Sequence, residues 1–133
     1  MRWAARVARV LVGLPFVVVG LNYWLLFLPV NEEEMAKALP EVAKGFAAAL
    51  VTTHYMDVVK ALEVVGGLLV LSGRMTPLGL ALVTPVAVNI LLWDLLLAGK
   101  PGLGVVLTAL CVFLMYAYRS YFAGLLATHA HVG

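Results

Sequence analysis

Asp57-Val-Val-Lys60-Ala-Leu-Glu63-Val-Val-Gly66-Gly67-Leu-Leu-Val-Leu-Ser72-Gly73-Arg74 is the stretch whose reading decides the fold, because a cation and an anion sit inside its apolar run. Lys60 and Glu63 stand three residues apart, so on a helix they are surface neighbours able to neutralise one another. Ionisable groups at membrane depth are rare and face a bundle interior or a wet cavity, which makes the pair a candidate site. A purely structural reading stands beside it: a lysine near a helix end can snorkel to the headgroups, and an intrahelical pair can serve packing alone. The adjacent Gly66 and Gly67 provide room for another helix to approach closely beside the charges.

The rest of the chain agrees with a membrane setting. Of its 133 residues 64% are hydrophobic, and the mean hydropathy is +1.04, against roughly 45–50% apolar residues in soluble domains. The length suits about four spans of about 20 residues and one substantial loop. The expected fold is therefore all-α: an antiparallel four-helix integral membrane bundle forming one domain over residues 1–133. The net charge of +2 comes from scattered basic residues, which excludes the clustered footprint of a nucleic-acid binder. A single cysteine, Cys111, allows neither an internal disulfide nor a CxxC motif, so any redox role needs a bound cofactor or a partner subunit.

On the N-terminal side of the central stretch, Val30–Met56 concentrates Glu32, Glu33, Glu34, Lys37, Glu41 and Lys44 in its first half. Asn31 suits an N-cap ahead of three acids that favour the helix dipole. The apolar second half is too short to span, so residues 30–55 read as one or two amphipathic helices on the membrane surface or over the bundle. A lid and a plain surface loop are both compatible with this pattern. Before it, a first helix is expected at about residues 6–28, led by Arg2, Arg6 and Arg9 and too long for a signal peptide. Pro15 and Asn22, seven apart, share a face; the carbonyl that Pro15 frees needs a partner, so Asn22 is expected to face protein. Tyr23, Trp24 and Phe27 suit an interfacial aromatic belt.

On the C-terminal side, the central helix is expected at 56–72, a third at 77–97 and a fourth at 103–122. Pro85, Asn89 and Trp93 lie four apart on one stripe of the third. Asp94 is turned about 140° from Asn89 and leaves that stripe unless the helix unwinds there. The short turns around Gly73–Pro77 and Ala98–Gly102 make successive helices antiparallel neighbours. The fourth helix ends in Tyr116, Tyr118, Arg119 and Tyr121, an interfacial anchor, and His129 and His131 fall in a short tail. Helices one and three each place a proline inward of an asparagine and a tryptophan, a faint sign of duplication.

Arg2, Arg6, Arg9, Arg74 and Arg119 then lie on one side and Lys37, Lys44, Lys60 and Lys100 on the other, which favours both termini in the cytoplasm. In that topology Asn22, Lys60, Glu63 and Asn89 share the outer half of the bundle beneath residues 30–55. They are the candidate ligand-binding residues, for a small amphiphile such as a quinone or lipid. No catalytic residue and no metal set is assigned: His54 and Asp57 have suitable spacing, but two ligands do not make a site, and no second core histidine supports a haem.

The run Val59-Lys-Ala-Leu-Glu-Val-Val-Gly-Gly-Leu-Leu-Val-Leu-Ser-Gly-Arg-Met-Thr-Pro-Leu, with Thr84-Pro-Val-Ala-Val-Asn-Ile-Leu-Leu, Gly20-Leu-Asn-Tyr-Trp24 and Ala117-Tyr-Arg-Ser-Tyr-Phe122, resembles the DoxX family of small bacterial membrane proteins. The likeness covers nearly the whole chain and implies a four-helix membrane bundle. The family takes its name from a subunit of an archaeal thiosulfate:quinone oxidoreductase. The resemblance therefore implies a non-catalytic component of a membrane redox or respiratory assembly, with Lys60, Glu63 and Asn89 as matching site positions. It departs at Asp94, where relatives often carry histidine, so no role transfers there. Two other functions compete with a quinone- or lipid-holding component: a structural accessory subunit, or homo-oligomer, whose polar groups only specify packing, and a small transporter. Four-helix exporters centre on an acidic residue in their first helix, and none is present here.

Overall fold

The chain reverses through left-handed residues, Gly73 and Gly99 at low cost and Leu26, His54 and Met75 against the steric preference of their side chains. The computed structural model describes residues 1–133, all-helical, as α1 (Arg2–Leu25), α2 (Glu32–Lys37), α3 (Glu41–Thr52), α4 (Tyr55–Ser72), α5 (Thr76–Leu92), α6 (Leu103–Ala117) and α7 (Arg119–Phe122). A π-turn at Trp93–Leu97 continues α5, and a 3-10 turn at Ala123–Leu126 follows α7. Gly73 ends α4 at φ 76°, in the left-handed region that glycine tolerates, and Pro77 stands in the first turn of α5 where its missing N–H is harmless. Asn31 caps α2, its side-chain oxygen accepting from the Glu34 N–H at 3.2 Å, as its place before three glutamates predicts.

Four helices form a closed circuit in which α1 packs on α4, α4 on α5, α5 on α6, and α6 returns to α1. The antiparallel pairs cross on glycine. A Cβ placed on Gly67 would sit 3.0 Å from the Gly13 carbonyl oxygen, and one on Gly79 would sit 2.9 Å from the Gly66 carbonyl oxygen. The two adjacent glycines of α4 thus serve different neighbours, Gly67 meeting α1 and Gly66 meeting α5. Backbone approach of this kind gains dispersion contacts that side chains would hold apart. Val12, Phe16, Val70, Leu80, Val83, Leu107, Cys111 and Leu114 fill the centre. Thr108 of α6 adds a cross-helix bond, its hydroxyl donating to the Ala87 carbonyl at 3.1 Å.

Several expected limits move. The first helix starts at Arg2 and stops at Leu25 rather than near 28, because Leu26 takes a left-handed conformation at φ 50° and its N–H returns to the Asn22 carbonyl. The third keeps its full length to Leu97, but its last five residues form the π-turn. The fourth is straight only to Ala117, and Leu103–Ala117 and Arg119–Leu126 meet at 83°. Two helices are long and apolar enough to cross a membrane, Arg2–Leu25 with mean hydropathy 1.9 and Thr76–Leu97 with 2.1; the bent pair would make a third if counted as one span. α4 is shorter, at 18 residues, and spreads Asp57, Lys60 and Glu63 through its first half, whereas the three arginines of α1 sit at one end and leave a long apolar run.

Candidate functional site

The charged half of α4 fixes the site. Lys60 Nζ lies 3.0 Å from Glu63 Oε2 and 3.2 Å from Oε1, so the ammonium bridges both carboxylate oxygens. The Glu63 side chain is only 4% exposed and that of Lys60 17%. Such a pair neutralises charge that would otherwise be stranded in apolar surroundings, and the second hydrogen bond offsets part of the desolvation cost. Around it, Pro15, Phe16 and Val19 of α1, Ile90 of α5, and Leu103 and Leu107 of α6 enclose a cavity of about 50 Å³. Its walls are apolar apart from the pair itself.

The two asparagines expected to join this pair do not. Asn22 caps the end of its own helix: its Oδ1 accepts from the Leu28 N–H at 2.8 Å, closing the reversal at Leu26. Asn89 is exposed on the outward side of α5, together with Pro85 and Val88, and makes no side-chain hydrogen bond within the chain. Neither residue lines the cavity. The expected convergence of Asn22 and Asn89 with Lys60 and Glu63 is therefore corrected. Common depth was legible from spacing, but rotation about the helix axis was not, since α5 is apolar all round and carries no periodic sign of its inner face.

Asp94 gains a definite part. The π-turn widens the helix where Asp94 sits, and its Oδ2 accepts from the Gly104 N–H at 2.9 Å, capping the start of α6 across the loop. A carboxylate there satisfies an orphan donor and meets the positive end of the helix dipole. Gly102 makes this possible, because its Cβ would lie 2.9 Å from the same carboxylate oxygen.

Above the bundle, α3 packs on α4 and on the π-turn, with Ala43 fully buried and the Phe46 and Trp93 rings 6.0 Å apart. On the rim of that same end, His54 Nδ1 lies 2.9 Å from Asp57 Oδ2. At the opposite end, between α1 and the end of α6, Arg2, Ala5, Arg6, Arg9, Ala117 and Tyr118 border a larger cleft of about 300 Å³. Sequence reasoning used these arginines only to orient the chain; the signal it passed over is their spacing of four and three, which puts all three on one helix face. Comparison of the chain with family models, curated proteins and solved structures finds no match.

Proposed function

We propose that this chain is a four-span integral membrane protein of the DoxX kind, acting as a non-catalytic subunit of a membrane redox or respiratory assembly, or as a homo-oligomer within one. In this reading α1, α4, α5 and α6 are the spans and both termini are cytoplasmic. Outward-facing Leu11, Leu14, Val65, Leu68, Leu92, Leu96, Val106 and Val112 are exposed from all four helices, a belt that suits hydrocarbon rather than water. The redox or respiratory setting rests on the resemblance at residues 20–24, 59–78, 84–92 and 117–122 alone.

The observation that carries the subunit role is Asn89. It stands about 12 Å from the Leu97 end of a continuous helix, exposed and without a partner in its own chain. A primary amide facing hydrocarbon unpaired is costly, and asparagines within spans bond across helices. A neighbouring helix meeting α5 along Pro85, Asn89 and Leu92 removes that cost. The Lys60–Glu63 cavity, by contrast, supports a packing role over a quinone seat. About 50 Å³ is a third of the ~150 Å³ that accepts a benzene ring, and suits water.

Native mass spectrometry of the protein extracted in mild detergent tests the reading. The expected result is a complex, with a second subunit or another copy, that Asn89→Leu dissociates while the variant's melting temperature is unchanged or raised. A wild-type monomer under all mild extraction conditions would overturn it. Topology is checked by labelling a lone cysteine at Glu33 in a Cys111→Ser background: reaction only from the cytoplasmic side would invert the orientation.

A further inference from the structure

Opposite the charged half of α4, the bundle holds a concentration of positive charge with no protein anion to meet it. Arg2, Arg6 and Arg9 project from one face of α1 into the cleft of about 300 Å³ that Ala117 and Tyr118 close on the other side. The seven acids are Glu32, Glu33, Glu34, Glu41, Asp57, Glu63 and Asp94. None borders this cleft, and every ion pair in the chain, Lys44–Glu41, His54–Asp57 and Lys60–Glu63, lies elsewhere. Arg9 is held in place: one guanidinium nitrogen donates to the Tyr118 hydroxyl at 3.4 Å, and the group rests against Gly73, where a Cβ would clash with it. Its Nε is nevertheless buried and finds no acceptor. A fixed arginine, two more arginines one and two turns away, and a phenol at the wall make a set of donors suited to a tetrahedral oxyanion.

We propose that this cleft binds the phosphate of an anionic phospholipid headgroup from the cytoplasmic leaflet. The volume suits a glycerophosphate rather than a bare ion, and exposed Trp3 and Val7 beside the arginines leave an apolar flank for the acyl chains. Basic clefts between helices on this side of a membrane recognise such headgroups through phosphate contacts and surface potential. The proposal rests on the membrane reading above. Failure of that reading shows as protein that stays soluble without detergent; failure of this one shows as lost lipid selectivity in protein that still needs it.

The test is lipid retention and thermal stability of the full chain in nanodiscs of phosphatidylcholine with or without phosphatidylglycerol, and in detergent with inorganic phosphate. Phosphatidylglycerol should raise the melting temperature and survive into native mass spectra, with phosphatidylcholine doing neither. Arg2→Gln with Arg6→Gln, two exposed positions that the fold does not need, should weaken phosphatidylglycerol retention about tenfold or more. Arg74→Gln, a basic residue of the same end outside the cleft, should leave retention unchanged. Equal loss in Arg74→Gln, equal retention of both lipids, or stabilisation by inorganic phosphate with none by phosphatidylglycerol would each overturn the proposal.

Discussion

The two halves of α4 are held by opposite means. Toward Ser72, Gly66 and Gly67 bring backbones of α5 and α1 against the helix, and Val70 is fully buried, with no charge in the contact. Toward Tyr55, the same helix carries Asp57, Lys60 and Glu63; Gly20 of α1 still comes close there, a Cβ on it meeting Val64 at 2.7 Å and the Lys60 carbonyl oxygen at 3.4 Å, and the small cavity lies beside the pair. The first half is specified by the absence of side chains alone, and the second adds charges that must find each other. The first tolerates no added atom; the second tolerates no lost partner.

The sharpest way to break the first half is to add volume at a crossing. Gly67→Leu should prevent α1 and α4 from meeting and leave no monodisperse protein by size-exclusion chromatography. Gly67→Ala should cost about 1–3 kcal/mol, since its Cβ meets the Gly13 carbonyl oxygen and Phe16 and Val17 carbons at 3.0 Å. Gly45→Ala is the matching control, because a Cβ there meets nothing within 4 Å in the interior of α3. It should stabilise by about 0.5–1 kcal/mol through the unfolded chain. Equal melting shifts for Gly67→Ala and Gly45→Ala would remove the distinction between crossing and surface glycines.

The charged half breaks by subtraction. Lys60→Met leaves Glu63 buried without its cation and should cost about 3–5 kcal/mol. Adding Glu63→Gln should restore much of that loss, because an uncharged amide needs less solvation than a stranded carboxylate. Chemical denaturation in detergent across the four proteins measures the coupling, and additivity within about 0.5 kcal/mol would sink the pairing.

The contrast between the halves was legible in the residues before any coordinates, because spacing alone makes Lys60 and Glu63 neighbours and doubled glycine marks close approach. The assignment of each glycine to a different helix was not legible, nor was the break at Tyr118, where neither proline nor glycine announces an 83° bend. Asn22 and Asn89 depart from expectation for one reason: a polar residue in an apolar helix need not face its own bundle. Asn22 instead satisfies its helix end, and Asn89 looks outward, where the chain has no group to meet it. Polarity signals that a partner is required without saying which element supplies it.

Asp94 offers a smaller test, at a contact between two bundle helices that does not pass through α4. Asp94→Ala should lower stability by about 1–2 kcal/mol through loss of the α6 cap, while Asp94→Asn keeps an acceptor for the Gly104 N–H and should cost less than half as much. An equal loss in the two variants would shift the weight from the hydrogen bond to the charge.

The smallest effect is expected where α3 meets the bundle, and it asks whether the charged half of α4 depends on that contact. Phe46 is 49% exposed, and its contact with Trp93, at 6.0 Å between centroids, fastens α3 to the π-turn rather than to the core. Phe46→Ala therefore removes an aromatic pair worth about 0.5–1.5 kcal/mol from an element that is itself mostly exposed. Opening of such an element is local, so the loss belongs to α3 and not to global unfolding. Hydrogen exchange should rise across residues 41–52 with the melting temperature moving by less than a degree or two, about what a few tenths of a kcal/mol produce. Exchange at Val64–Val70 should stay unchanged. If protection of α4 around Lys60 falls together with that of α3, the α3 contact is part of what holds the charged half in place, and the two halves of α4 differ in their covering as well as in their residues.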